Sequence, residues 1–307
     1  MACFLPLRSG MAWWKALREV TSNWSVHRCS TQSAALAFYT IFSLAPVLVV
    51  AISLAGAVWG EEAVRGQIVG EFEGLMGHEA ALLVQEVLQS AARPASSRLG
   101  AVVGLITLVL GATAVFGQLQ DALNTVWAVA PKPGAPLTTL LRKRIHSFTL
   151  VVGIGFLLLV SLILSAALTG LSRYLERSLP VDFLQIANVV ASFVVITLLF
   201  AMTYRLLPDV KIAWREVWLG SVLTALLFVA GKTLIGFYLG RVSVASAYGA
   251  AGSLVVILLW VYYSSLIFFF GAELTRVHAR QFRTSRAEPE EGAVRVPESQ
   301  GGAVAHR

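Results

Sequence analysis

Few side chains in this sequence are equipped for chemistry, and they do not cluster. The five histidines are His27, His78, His146, His278 and His306. Metal-dependent hydrolysis needs His and Asp ligands grouped at short spacing, and no H-x-H-x-D-H run exists, so neither a metal nor catalysis through one is expected. Cys3 and Cys29 are the two cysteines; they make no metal motif and no disulfide framework. No G-x-S-x-G elbow, phosphate-binding loop or dinucleotide fingerprint stands in a suitable context. The expectation is a non-enzyme without a cofactor. Nucleic acid is not an expected partner either, since no stacking aromatics sit on a basic soluble domain.

A handful of polar residues in apolar surroundings remains. Lys232 lies in "FVAGKTLIGFYLG". An ionisable residue inside an apolar segment is a functional candidate by default, and a lysine there would meet an anion such as a lipid phosphate. The competing reading is a lysine whose long stem carries its charge outward to the headgroups. A second set falls at the opposite ends of the segments: Asp121 and Asn124 in "FGQLQDALNTVW", Asp209 in "LLPDVKIAW", and Glu273 with Arg276 in "FFFGAELTRVHAR". Glu273 stands three residues before Arg276, which permits a pair along one helix, expected as an interfacial ion pair. Pro46 removes a backbone hydrogen bond in mid-helix and is a candidate kink.

The elements that must position these residues follow from composition. Of 307 residues, 57% are hydrophobic and 13% charged, about half the charge of an ordinary soluble chain, and mean hydropathy is +0.73. Six largely uncharged runs stand out: Ala34 to Trp59, Leu99 to Gln120, Ile145 to Ser172, Phe183 to Tyr204, Val217 to Gly240 and Val242 to Ala272. About 20 residues of helix cross a bilayer, and only helices or closed barrels satisfy their backbone there. The fold class expected is therefore all-α, a polytopic membrane protein with six transmembrane helices. Arg8, Lys15, Arg18, Arg28, Lys132, Arg142, Lys143, Arg144, Arg205, Lys211, Arg215 and the arginines after 275 fall on one side; Arg65, Arg93, Arg98, Arg173, Arg177 and Arg241 fall on the other. The richer side is cytoplasmic, so both termini are expected there.

The organisation expected is a cytoplasmic segment over 1–33, a six-helix membrane domain over 34–276 and a disordered cytoplasmic tail over 277–307. Met11 to Arg28 reads as an interfacial amphipathic helix, with Trp13, Trp14, Leu17 and Val20 beside Lys15 and Arg18. Residues 60–98 read as an extracytoplasmic helical hairpin with a break at Gly77. The tail mixes Glu, Pro, Gly, Arg and Ser with few large apolar residues. Small residues such as Gly104, Thr107, Gly111 and Ala114, or Ser221, Ala225 and Gly236, mark faces where helices pack closely in lipid.

The stretches "AALAFYTIFSLAPVL", "DALNTVW", "LPDVKIAWREVWLGSVLTALLF" and "YGAAGSLVVILLWVYYSSLIFFFGAEL" resemble the YihY/BrkB family of bacterial inner-membrane proteins, over roughly residues 15 to 280. Asp121, Asn124 and Trp127 match its D-x-L-N-x-x-W stretch, Pro208 and Asp209 its P-D turn, and Gly271, Ala272 and Glu273 its G-A-E ending. The resemblance implies six membrane helices with cytoplasmic ends, an inner-membrane location and a link to virulence and envelope phenotypes. Members have carried the label ribonuclease BN, which the scattered histidines argue against. Two functional readings stand: a transporter or flippase-like protein for envelope lipids or other anionic amphiphiles, and a non-transporting structural or regulatory envelope protein. Membrane lipids are the expected partners; a homo-oligomer or envelope-protein partners fit the same reading.

Overall fold

The structure, a computed structural model, describes residues 10–76, 78–91, 114–132, 181–241, 251–281, 288–289 and 293–296. The third apolar run, most of the second and the small-residue positions Gly104, Thr107 and Gly111 lie outside the described residues.

The described part is helical. In chain order it comprises α1 (Gly10–Val26), α2 (Cys29–Trp59), α3 (Glu61–Met76), α4 (His78–Ala91), α5 (residues 114–126), strand β1 (Val129–Pro131), α6 (Val181–Leu206), β2 (Val210–Lys211), α7 (Trp214–Arg241), α8 (Gly252–Gln281), β3 (Glu288–Pro289) and β4 (Ala293–Arg295). Among the described residues, three segments are long and apolar enough to cross a membrane: Val189–Leu206, Trp214–Ile235 and Gly252–Arg280. That is half the number expected from the sequence, and it covers the fourth, fifth and sixth runs. Helix α2 contains the first run and continues as one helix through Pro46.

Two compact units divide the described chain. One gathers α1, most of α5, α6, the start of α7, the end of α8 and all four strands. In it α7 and α8 cross at close range. There Gly220 faces Thr275, and Gly271 faces Thr224. Each helix thus offers a glycine and, four residues on, a threonine whose hydroxyl folds back onto its own helix: Thr224 Oγ1 donates to the Gly220 carbonyl at 2.6 Å, Thr275 Oγ1 to the Gly271 carbonyl at 2.7 Å. With no side chain on either glycine, the backbones approach closely, as apolar helices without a water-driven force between them must do. Ser221 and Ala225, singled out in the sequence as packing residues, are also buried. Tyr204 of α6 closes the site from a third helix, donating to the Phe268 carbonyl at 2.7 Å.

The tail does not follow its composition in this unit. Helix α8 continues to Gln281, and β4 pairs antiparallel with β1, Ala130 opposite Val294, while β3 pairs with β2. The expectation of disorder from residue 277 is corrected for these segments. Backbone hydrogen bonds to two loop edges substitute for the apolar burial that the tail lacks.

The other unit holds most of α2, together with α3, α4, the later part of α7 and the start of α8. Here α3 and α4 pack together as a helical hairpin, with Val64, Ala81, Val84 and Leu88 buried. Gly77 itself lies outside the described residues. Gly60, between α2 and α3, has φ +86°, a backbone state that only glycine adopts at little cost. On α2, Phe38 and Phe42 are exposed side by side, as suits a lipid-facing wall.

Candidate functional site

The site is built where α1 turns into α2. Helix α1 ends at Val26, and the backbone N–H of the next residue, His27, donates to the Asn23 carbonyl at 2.8 Å. Arg28 then takes φ 50°, an uncommon conformation for a side-chain-bearing residue, and Cys29 opens α2. The turn is held against α8 by an apolar cluster in which Ala16 and Val20 meet Leu274 and Val277. Beside this cluster α8 presents Glu273 and Arg276 on one face, three residues apart.

His27, Glu273 and Arg276 converge there, at 3%, 0% and 2% exposure. His27 Nδ1 bonds a Glu273 carboxylate oxygen. A carboxylate only accepts, so the ring proton sits on Nδ1. Arg276 Nη1 lies 2.8 Å from Nε2 and 3.3 Å from Nδ1. Being near both nitrogens, it lies across the ring and not in line with either. Arg276 Nη1 is also 4.0 Å from Glu273 Oε2, and that oxygen has no hydrogen-bond partner among the described residues. The Cys29 sulfur is 3.8 Å from Glu273 Oε1. Burial pushes this thiol up, and the neighbouring carboxylate adds to the effect, which disfavours the thiolate that a nucleophile needs. Taking charges out of water costs several kcal/mol per ion unless they are paired. With neutral imidazole the three groups sum to zero, which is the arrangement burial favours. The Glu273–Arg276 pair expected at an interface is thus buried, because α1 and its turn cover it.

A second polar junction joins α5 to the turn after α6. Asn124 Nδ2 donates to Asp209 Oδ2 at 3.1 Å, and the Asp209 backbone N–H donates to Asn124 Oδ1 at 2.8 Å. Gln120 Nε2 reaches Asp209 Oδ1 at 3.3 Å. Asn124 and Asp209 are both buried. The Pro208–Asp209 turn is braced further by Arg205, which donates to the Ile212 carbonyl at 3.2 Å and lies 4.3 Å from the Trp214 ring centroid. Glu216 accepts from the Ala213 N–H at 3.2 Å and caps α7.

The residues chosen from sequence therefore divide. Asn124 with Asp209 form one contact, and Glu273 with Arg276 another. Asp121 is exposed on α5. Lys232 is exposed on α7, flanked by exposed Thr233 and Leu234. Pro46 lies within α2, away from both junctions in the chain. His27 and Cys29 were not among the candidates. Their signal is weak in sequence: a lone H-x-C just before an apolar run, with its partners about 246 residues away.

Comparison with known proteins bears on the whole chain. A family model described as "Virulence factor BrkB" matches residues 20–295. A "UPF0761 membrane protein" of Alkalilimnicola ehrlichii is 27% identical over 259 residues, covering 82% of this chain and 55% of that protein. One from Ralstonia nicotianae is 29% identical over 245 residues, covering 79% and 54%. One from Alteromonas mediterranea is 25% identical over 258 residues, covering 82% and 84%. The chain spans about half the length of the first two relatives. No solved structure matches.

Proposed function

The chain belongs to the virulence factor BrkB family and is a multi-pass protein of the inner membrane; from that premise we propose that it carries an anionic amphiphile of the lipid class across the bilayer. Six membrane helices with both termini in the cytoplasm are part of this reading, which involves no catalysis and no nuclease chemistry.

Lys232 is the observation that supports it. It is an exposed cation two turns from the C-terminal end of a helix apolar enough to span, and among the described residues no carboxylate forms an ion pair with it. An ammonium at the bilayer centre costs about 2.5–3.5 kcal/mol on insertion scales, and less toward the headgroups. A lipid phosphate offsets that cost where no protein acid does. A passing headgroup would use the same contact transiently.

The test is a fluorescent-lipid flip assay in proteoliposomes. Wild type flips faster than empty vesicles, Lys232→Ala slows it at equal incorporation, and Lys232→Arg retains it. Equal rates for wild type and Lys232→Ala, or no flipping by wild type, remove the transport reading and leave a non-transporting envelope protein.

A further inference from the structure

We propose that α1 carries a binding surface for anionic phospholipid headgroups, made of Trp14, Lys15 and Arg18. This surface is separate from Lys232 and requires no lipid transport.

The packing of α1 leaves it one open side. Of its apolar residues, Val20 is buried with Ala16 against Leu274 and Val277, and Trp13 packs on the same cluster. Trp14 lies on the opposite side, 73% exposed. Lys15 and Arg18 are exposed beside it. At 3.6 residues per turn the three fall within about 100° of arc, and exposed Ser22 lies between the two cations. Among the described residues neither Lys15 nor Arg18 forms an ion pair. Glu19, the one carboxylate on α1, is half-buried at the edge of this face. Trp24 Nε1 donates to Ser30 Oγ at 2.9 Å, which ties α1 to the start of α2 and holds the face in its direction.

Depth and chemistry together select a lipid surface as the occupant. The last uncharged run ends at Ala272, and the cluster on which α1 packs includes Phe270, Leu274 and Val277. Along α8 these lie within about 8 Å of that end, at 1.5 Å per residue. The headgroup layer is itself about 5–8 Å thick on each side of the hydrocarbon. Helix α1 therefore crosses α8 where hydrocarbon gives way to water. An indole favours that boundary, with an apolar ring and one N–H to donate. Two cations without protein acids complement phosphate charge at the same level.

The test uses full-length protein carrying Cys3→Ser and Ser22→Cys, labelled at position 22 with a nitrobenzoxadiazole fluorophore, in phosphatidylcholine nanodiscs. Cys29 is buried, and the Cys3→Ser protein alone measures its background labelling. The discs contain a small, equal fraction of nitroxide-labelled lipid, either phosphatidylglycerol or phosphatidylcholine. An anionic surface attracts each nearby cation by roughly fivefold, or up to about 25-fold for Lys15 and Arg18 together. The phosphatidylglycerol quencher is accordingly expected to act several-fold to about 25-fold more strongly per lipid. Lys15→Gln with Arg18→Gln should bring the two quenchers level while both still act, and Trp14→Ala should weaken both. All three side chains are exposed, so these variants are expected to fold. Equal quenching by the two lipids in the wild-type face overturns the proposal. So does an anionic preference that survives in the double glutamine variant. Quenching by neither lipid puts the face in water or against a protein, and overturns it as well.

Discussion

Gly271→Ala tests the close crossing of α7 and α8 most directly. A Cβ at position 271 would collide with Thr224 Oγ1 and come within 2.6 Å of the Tyr204 hydroxyl and 2.9 Å of Thr224 Cβ. None of these is the loose end of a flexible chain. Thr224 is tied to the Gly220 carbonyl and Tyr204 to the Phe268 carbonyl. One methyl forced into a packed site costs roughly 1–3 kcal/mol. Displacing the Tyr204 bond adds about 1 kcal/mol. Alanine's better helix propensity returns about 1 kcal/mol. The net loss is about 1–3 kcal/mol, a factor of roughly 5–150 in the packed population. For a chain of this size that is about 3–10 °C in Tm, measured in detergent by intrinsic fluorescence or differential scanning. Gly66→Ala on α3 is the control, because nothing lies within 4 Å of its Cβ; its Tm should hold or rise slightly. A Gly271→Ala protein as stable as wild type would refute the crossing geometry, above all if Gly66→Ala fell instead.

Other outcomes follow from the same contacts. Asn124→Ala removes both bonds to Asp209, one of them to its buried carboxylate, which should cost about 2–4 kcal/mol in thermal or denaturant unfolding. Because burial holds the Cys29 thiol above its usual range, iodoacetamide should alkylate it far more slowly than glutathione at pH 8. The sign of the linkage is that of a raised acid: stability from the neutral thiol is present below about pH 8.5, its unfolded value, and declines as pH rises beyond it. Cys29→Ala should flatten that alkaline decline. Ending the chain at residue 287 removes β3 and β4, and the amide of Ala130, opposite Val294, should then exchange faster by hydrogen–deuterium mass spectrometry, while those of α8 near Gly271 should not.

The outline of the fold was legible because it rests on local physics. Uninterrupted apolar runs report hydrocarbon-crossing helices, and α6, α7 and α8 coincide with three of them. The α3–α4 hairpin showed as two apolar stripes broken at Gly77. Pro208 announced the end of α6, since proline cannot continue a helix that lacks its N–H. Part of the polar junctions was legible for the same reason: Glu273 and Arg276 share a face by helical period, whatever surrounds them.

Composition misread the tail, because a strand of two or three residues is fixed by the edge it finds and not by its own apolar content. Hydropathy likewise gave no sign that Gly220 and Gly271 meet, where many other glycines do not. What the sequence determined by itself was which of the described segments are long and apolar enough to leave water, since this depends on transfer free energies summed along the chain. Tertiary structure decided which charges share a burial site. His27 and Glu273 are 246 residues apart, and only the packing of α1 on α8 brings a loop histidine and a helix-end carboxylate into one buried set.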